Sequence, residues 1–307
     1  KKVGVVVPAY NEEALICKVI KNMPGYVDRI FVVDDCSTDR TVTTVLKCND
    51  PRTLIKCHSE NKGVGAAIAT GYRLALEENM DLIAVMAGDD QMDPLELPKL
   101  LDPVADGIAD YSKGDRLSRR ELTRGMSNWR KFGNNLLTFL TRVSSGYWNL
   151  QDPQNGYTVI SAKALARVDL SRLYPRYGYC NDLLVKLNVL GFSVVDVPIP
   201  ARYGEEKSKI RYGKYICSVS LLLLRNFLWR IFKQYQYPKL KLPGITYAAA
   251  FVLLLFGLIS LFVALFGNIS FFPGAVTFAA GKLLFLLSTA IDASSKNDGY
   301  QRERSPQ

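Results

Sequence analysis

The first 90 residues alternate short β-branched apolar runs with helix-like segments, and few architectures accommodate that alternation. Val3 to Val7 is an extended run ended by Pro8, and Arg29 to Val33 is another, ended by Asp34-Asp35. Glu12 to Asn22 between them reads as a helix, which makes a βαβ unit. The pattern repeats with a helix at Thr41 to Lys47, a strand at Thr53 to Cys57, a helix at Gly65 to Asn79 and a strand at Asp81 to Met86. Strands joined by helical crossovers run parallel, so an α/β fold with a mostly parallel sheet is predicted. Ligands of such sheets bind beyond the carboxyl ends of the strands. This sequence places Tyr10-Asn11-Glu12, Asp34-Asp35, Asn61-Lys62-Gly63 and Asp89-Asp90-Gln91 there, so four polar strand ends should line one crevice.

Beyond residue 110 the character changes. Asp110 to Lys131 is rich in Lys and Arg interrupted by Gly and Ser, and Asn134 to Val143 reads as a helix. Asp152-Pro-Gln-Asn-Gly156-Tyr157 is a turn signal, followed by a strand at Thr158 to Ile160 and a Ser161-capped helix to Arg167. A helix over about Asn181 to Leu190 stops at Gly191, and a strand at Ser193 to Val197 is closed by Pro198. The globular domain is expected over residues 1–210. Residues 211–243 carry apolar side chains at helical spacing with Arg225, Arg230 and Lys233 interleaved and Trp229 and Tyr237 nearby, the pattern of a helix lying in a lipid interface.

From Ile245 to Phe266 run 22 uncharged, mainly apolar residues, enough to cross ~30 Å of hydrocarbon. A second span is expected over about 269–291 despite Pro273 and Lys282, giving a transmembrane hairpin over 244–292 and a polar tail over 293–307. No basic-then-apolar leader opens the sequence, so anchorage is expected from the C-terminal end. Lys and Arg concentrate before Gly244 and are absent from the loop Gly267 to Phe272, which places the globular domain on the cytoplasmic face.

Charge divides along the same lines. Residues 1–100 hold 12 Lys+Arg against 15 Asp+Glu, whereas residues 101–241 hold 23 against 11. A basic middle third leading into an apolar stretch suits lipid headgroups or phosphorylated ligands, and no nucleic-acid-binding signature accompanies it. Six scattered cysteines without a CxxC and one histidine, His58, argue against structural zinc and for unbridged thiols in a reducing compartment. His58 reads as structural rather than as a base. Asp34 or Asp35 can accept hydrogen bonds from a base or ribose, while Asp89 and Gln91 offer the hard oxygens that Mg²⁺ or Mn²⁺ prefers.

The segments Val-Val-Val-Pro8-Ala-Tyr10-Asn11-Glu12, Val-Val-Asp34-Asp35-Cys-Ser37-Thr38-Asp39, Asn61-Lys-Gly63-Val-Gly65 and Asp89-Asp-Gln91-Met-Asp-Pro94 resemble the family-2 glycosyltransferases. Within them the chain is similar to dolichol-phosphate mannose synthases and other polyprenyl-phosphate glycosyltransferases. The resemblance implies a GT-A type, Rossmann-like domain followed by interfacial helices and a transmembrane hairpin. It implies an integral membrane enzyme that moves a hexose, mannose first and glucose second, from a GDP- or UDP-sugar to dolichyl or polyprenyl phosphate with inversion.

In that frame Pro8, Tyr10 and Glu12 contact the nucleotide, Asp34 and Asp35 seat its base or ribose, and Asp89 with Gln91 binds the metal. One departure is plain: the family's Asp-x-Asp before that Gln is Ala87-Gly88-Asp89 here, so its first carboxylate is missing. Arg116 and Arg130 are first choices to grip the acceptor phosphate, with Arg202 and Lys209 next. Asp152 orients the acceptor or acts as a base. A phosphate monoester with a second pKa near ~6 is already nucleophilic at neutral pH, which reduces the need for that base. Two rivals remain: a polysaccharide glycosyltransferase acting on a sugar hydroxyl, and a non-catalytic, membrane-tethered nucleotide-sugar binding protein.

Overall fold

The computed structural model describes residues 1–117, 128–200, 212–235, 242–267 and 270–302; within these, the side chains of 128–132, 134, 212–217, 266 and 295–302 are excluded. Two compact units emerge, residues 1–226 and 227–307. The division falls inside one continuous helix.

The first unit is built on a seven-stranded sheet in the order β3-β2-β1-β4-β6-β5-β7. The strands are β1 (Val3–Ala9), β2 (Arg29–Asp34), β3 (Thr53–Cys57), β4 (Leu82–Val85), β5 (Tyr111–Asp115), β6 (Thr158–Ser161) and β7 (Val194–Pro198). β1 pairs in parallel with β2 and β4, β2 with β3, and β5 with β7. Only β6 runs against its neighbours, β4 and β5. The predicted α/β sheet is therefore present, and its first four strands end on one side.

Helices α1 (Ile16–Lys21), α2 (Thr41–Cys48) and α4 (Leu97–Ala105) cover one face, and α3 (Val64–Glu77), α6 (Ala162–Leu165) and α7 (Tyr179–Val189) the other, while α5 (Asn128–Ser145) packs against α7. Alternation along each strand feeds two cores: Val5, Val7, Ile30 and Val32 point to the first face, and Val6, Phe31, Ile83 and Val85 to the second. α1 begins later than its sequence pattern predicts, because Glu12 to Leu15 form a turn whose carbonyl at Glu12 accepts from Leu15 and Ile16. One cysteine expectation is corrected. α1 and α2 pack side by side, which brings Cys17 and Cys48 to a Cα separation of 5.8 Å and into a disulfide, while Cys36, Cys57 and Cys180 are free thiols.

Helix α8 (Tyr212–Tyr235) belongs to both units. In the first, Ser144 Oγ donates to the Leu223 carbonyl at 2.9 Å and Asn226 Nδ2 to Asp182 at 3.0 Å. The second unit contains α9 (Leu242–Phe266) and α10 (Phe272–Arg302), both long and apolar enough to cross a membrane. Pro273 does not interrupt the second span, because it stands in the first turn of α10, where its missing N–H has no intrahelical partner to lose. α10 also continues through residues 293–302, which the sequence reads as tail. Lys282 lies exposed with its ammonium 4.7 Å from the Phe278 ring centroid, a cation–π contact.

The two long helices approach closely at glycines. A Cβ on Gly257 would lie 2.6 Å from the Phe278 backbone nitrogen, and one on Gly281 2.8 Å from that of Leu254. Small residues are what allow two such helices to pack without water between them. Gly257→Leu is expected to separate them and lower the unfolding midpoint in detergent, whereas Gly25→Ala, in open space, should leave it unchanged.

Candidate active site

The carboxyl ends of β1 and β2 are interlocked by their loops. Asn11, in the left-handed region at φ 56°, donates its N–H to Ser37 Oγ at 2.9 Å and accepts from Thr38 N at 2.8 Å through Oδ1. Glu12 N donates to Thr41 Oγ1 at 2.8 Å, and Glu13 N to Asp39 at 3.2 Å. Burial raises the Asp39 pKa, but hydrogen bonds from Thr41 and Glu13 outweigh it and hold the carboxyl below its ordinary value. This network fixes Pro8, Tyr10 and Glu12 at one rim of the crevice, with Tyr10 exposed.

The two acidic residues after β2 have different tasks. Asp35 is closed within the protein: Oδ1 is 2.8 Å from His58 Nδ1 and accepts from Lys62 N at 2.9 Å, while Oδ2 accepts from Gly63 N at 2.7 Å. His58 bridges onward to Thr70 Oγ1 at 3.0 Å, in keeping with a structural role. Asp34 is also buried, but only its Oδ2 is bonded, by Ser37 N at 3.1 Å; Oδ1 has no protein partner among the described residues. A buried carboxylate oxygen without a donor is costly unless a ligand supplies one. Asp34, rather than Asp35, has the geometry of a ligand group.

Beyond β4, Asp89 and Gln91 line a cavity of about 100 Å³ together with Glu96, Arg116, Gly156 and Tyr157. Asp89 Oδ1 accepts from Gln91 N at 3.1 Å, which folds the turn so that both side chains serve the same cavity. Asp90 is directed elsewhere, with φ 58° and its carboxylate 2.6 Å from Lys18 Nζ on α1. Tyr157 OH donates to the Asp93 carbonyl at 2.9 Å, joining this turn to the β5–β6 side.

That side carries the cation. Arg116 grips Asp152 with Nε at 2.8 Å and Nη2 at 3.3 Å, and its backbone N–H adds a third contact at 3.3 Å. Asp152 is 1% exposed, whereas the Arg116 side chain is 41% exposed and faces the cavity. The ammonium of buried Lys113 donates to the Asp152 carbonyl, Asn155 Nδ2 to Gly114 O at 2.8 Å, and Gln151 N to Asp196 at 2.5 Å. Together they clamp the 151–157 turn onto β5 and β7.

Burial raises the Asp152 pKa, but the charge and hydrogen bonds of Arg116, with Lys113 behind, more than reverse this and leave the carboxyl below its ordinary value. A carboxylate so held is a weak base, because an effective base titrates near the working pH. In this geometry Asp152 holds Arg116, a contact that the sequence reading of Asp152, as a group orienting the acceptor or as a base, did not include. A depressed folded-state pKa stabilises the protein above the unfolded value and loses that contribution as pH falls through the folded one. Wild type is therefore expected to be more stable than Asp152→Asn at pH 7, with the difference closing below about pH 4 in thermal melts.

Arg130, Arg202 and Lys209, the other acceptor-phosphate candidates, lie outside the described residues or side chains, as do Arg119, Arg120 and Arg124. Sequence reading missed Lys18, Glu96 and Asp196. A lone acid inside Val-Val-Asp196-Val was the available signal for the last.

Residues 4–169 match the family described as Glycosyl transferase family 2. The chain belongs to that family. Its fold is the GT-A arrangement expected from sequence: glucosyl-3-phosphoglycerate synthase of Mycobacterium tuberculosis, crystallised with Mn²⁺, UDP-glucose and phosphoglyceric acid, superposes with a TM-score of 0.53 at 21% identity, over 75% of this chain and 79% of that one. Among curated relatives, a UDP-N-acetylglucosamine–dolichyl-phosphate N-acetylglucosaminyltransferase of Methanococcus voltae is 29% identical over 67% of this chain and 87% of its own. An undecaprenyl-phosphate mannosyltransferase of Micrococcus luteus is 30% identical over 64% and 82%, and a dolichol-phosphate mannosyltransferase of Pyrococcus furiosus 28% over 74% and 64%. This family-2 glycosyltransferase thus carries the acidic turn after β4, with Asp89 and Gln91, and its Arg116 on one cavity.

A divalent metal is typical of the family. Asp89 and Gln91 fit one in kind, being hard oxygen donors on a common cavity. They do not complete a coordination shell, and among the described residues no three His, Cys, Asp or Glu side chains gather to do so.

Proposed function

We propose that this protein transfers a hexose from a nucleotide sugar to dolichyl or another polyprenyl phosphate, with inversion, on the cytoplasmic face of a membrane. The observation that carries the reading is the Arg116–Asp152 fork opening onto the same cavity as Asp89 and Gln91. An oriented guanidinium beside a donor site is what a phosphate acceptor requires. A sugar-hydroxyl acceptor requires a base, and the buried carboxylate nearest that role is neutralised by Arg116.

In this mechanism Asp34 and the β1 rim hold the nucleoside, leaving the diphosphate toward Asp89. Asp89 and Gln91 would hold a divalent cation, which when bound would supply positive charge to the leaving diphosphate. Arg116 binds the acceptor phosphate, offsets part of its charge and aims one oxygen at the anomeric carbon. The phosphate is mostly dianionic at neutral pH, so direct displacement from the face opposite the leaving group needs no enzyme base. No covalent enzyme intermediate is required, and inversion follows.

The anchor serves the acceptor. On α8, Leu221, Leu224, Leu228, Trp229 and Phe232 are exposed at helical spacing, which suits a helix lying on lipid. With α9 and α10 in the bilayer, a two-dimensional acceptor is presented at high local concentration.

Mannose is the first donor sugar and glucose the second, as the sequence resemblance implies; two relatives named as mannosyltransferases support the first, and the M. voltae relative adds N-acetylglucosamine to the panel. The test is incubation of the full chain in detergent with dolichyl phosphate and labelled GDP-mannose, UDP-glucose or UDP-N-acetylglucosamine, with Mg²⁺, Mn²⁺ or chelator. Label entering lipid from one donor, lost with chelator, is the expected result. Nucleotide binding without labelled lipid from any of these donors would favour the binding-protein reading.

A further inference from the structure

Asp182 is a carboxylate that the mechanism leaves unused, although it is 2% exposed in the first turn of α7. Its two oxygens join three elements. Oδ2 accepts from Tyr174 N at 2.9 Å and from the Lys186 ammonium one turn along, while Oδ1 accepts from Asn226 Nδ2 on α8 at 3.0 Å. A carboxylate is buried at tolerable cost only where several donors converge on it in this way.

The segment that Asp182 fixes lies against the start of α3. Ala66 N donates to the Pro175 carbonyl at 3.1 Å, and a Cβ on Gly65 would collide with the Tyr174 carbonyl oxygen. On the other side a Cβ on Gly178 would collide with Leu222 of α8. Residues 174–178 are thus wedged between α8 and the loop that begins α3. That loop presents Lys62 N and Gly63 N to Asp35, at 2.9 and 2.7 Å. Asp35 in turn adjoins Asp34, whose Oδ1 has no protein partner among the described residues.

We propose that Asp182 is a positioning residue for the nucleotide: it holds residues 174–176 against the start of α3 and so keeps Lys62 N and Gly63 N closed on Asp35. The inference rests on the nucleotide-sugar reading, and Asp182 acts through the loop rather than on the ligand. The hydrogen bond that matters most is the one from Tyr174 N. In Asp182→Ala that N–H and the Asn226 amide both lose their acceptor. In Asp182→Asn the new amide oxygen stays on Tyr174 N, while the Asn226 side chain turns its own oxygen toward the new NH₂, so the loop is kept.

The test is calorimetric titration of the full chain in detergent with GDP and with UDP, in excess Mn²⁺, beside thermal melts. For the nucleotide that wild type binds, Asp182→Ala is expected to raise Kd by about tenfold, the order set by a buried donor left without its acceptor, and Asp182→Asn by no more than about twofold. Where the alanine variant does not fold, Asp182→Asn with Asn226→Leu, which takes away the compensating turn of the amide, should raise Kd by about fivefold. A lower melting temperature with an unchanged Kd in the alanine variant would make Asp182 a stabilising group only, overturning the proposal while leaving the nucleotide-sugar reading intact. Collapse of sugar transfer at unchanged Kd would overturn it as well, by placing Asp182 in the reaction itself. Failure of both GDP and UDP to bind wild type would overturn the proposal and the nucleotide-sugar reading together.

Discussion

Arg116→Ala is expected to lower kcat/KM for the lipid phosphate by about a hundredfold, the order lost with one well-placed charged donor, while nucleotide affinity stays within twofold of wild type. The asymmetry follows from position: Arg116 follows β5, which β4 and β6 separate in the sheet from β1 and β2, whose ends carry Tyr10, Glu12 and Asp34. Arg116→Lys should recover part of the loss, because an ammonium keeps the charge without the planar fork that matches Asp152 on one side and a phosphate on the other. Truncating Arg116 also takes the guanidinium from a carboxylate at 1% exposure, leaving it the backbone N–H of residue 116 and the charge of Lys113, so a drop in melting temperature should accompany the drop in rate. Arg116→Ala combined with Asp152→Ala separates the effects. Stability should return toward wild type and activity should not. Steady-state kinetics with dolichyl phosphate as the varied substrate, beside thermal melts, read both.

The second large effect is expected in the membrane unit. Arg230 and Asp292 are both fully buried, with Nη2 and Oδ2 2.8 Å apart, and Tyr235 OH donates to Asp292 Oδ1 at 2.5 Å. Tyr247 OH lies 3.5 Å from Asp292 Oδ2, and its ring meets Phe227 and Phe285 edge-on at 5.3 and 5.6 Å. This knot joins the end of α8 to both α9 and α10. Asp292→Ala removes the acceptor for one guanidinium and two phenols, and breaking a buried pair on one side costs about 3–5 kcal/mol. Arg230→Met with Asp292→Leu removes both charges and should cost far less, since neither desolvated ion is left alone. Unfolding in detergent, followed by Trp229 fluorescence, distinguishes the two outcomes.

What the sequence disclosed, and what it hid, follows from where the information resides. The first four strands were legible because each contains an extended run of β-forming residues followed by polar or turn-forming ones, although β1 continues through Pro8 to Ala9 and β2 includes Asp34, and parallel pairing then brings their ends together. β5 was hidden because Tyr-Ser-Lys-Gly-Asp looks like a polar loop, yet all five residues are buried. Two of the polar side chains there have partners that only folding supplies: Ser112 Oγ donates to the Leu100 carbonyl at 2.5 Å and Lys113 to the Asp152 carbonyl. α4 was hidden by Pro98 and Pro103, although Leu97, Leu100, Leu101 and Val104 form a buried stripe at helical spacing.

The site divided in the same way. Asp34 and Asp35 are adjacent and chemically identical in sequence; only the packing of His58, Lys62 and Gly63 against one of them separates a structural pin from a ligand group. Asp152 and Arg116 stand 36 residues apart, so their fork, which argues against the base and for the positioning group, is a property of the β5–β6 geometry alone. The Cys17–Cys48 bridge likewise has no signature in spacing.

The central claim is that the acceptor is a lipid phosphate held by an oriented arginine. The most direct measurement supplies the full chain with one competent labelled donor and, in parallel, dolichyl phosphate, dolichol and a methyl hexoside in the same detergent. The account predicts organic-phase label with dolichyl phosphate only, abolished or sharply reduced by Arg116→Ala. Equal labelling of dolichol, or transfer to the methyl hexoside, would contradict it.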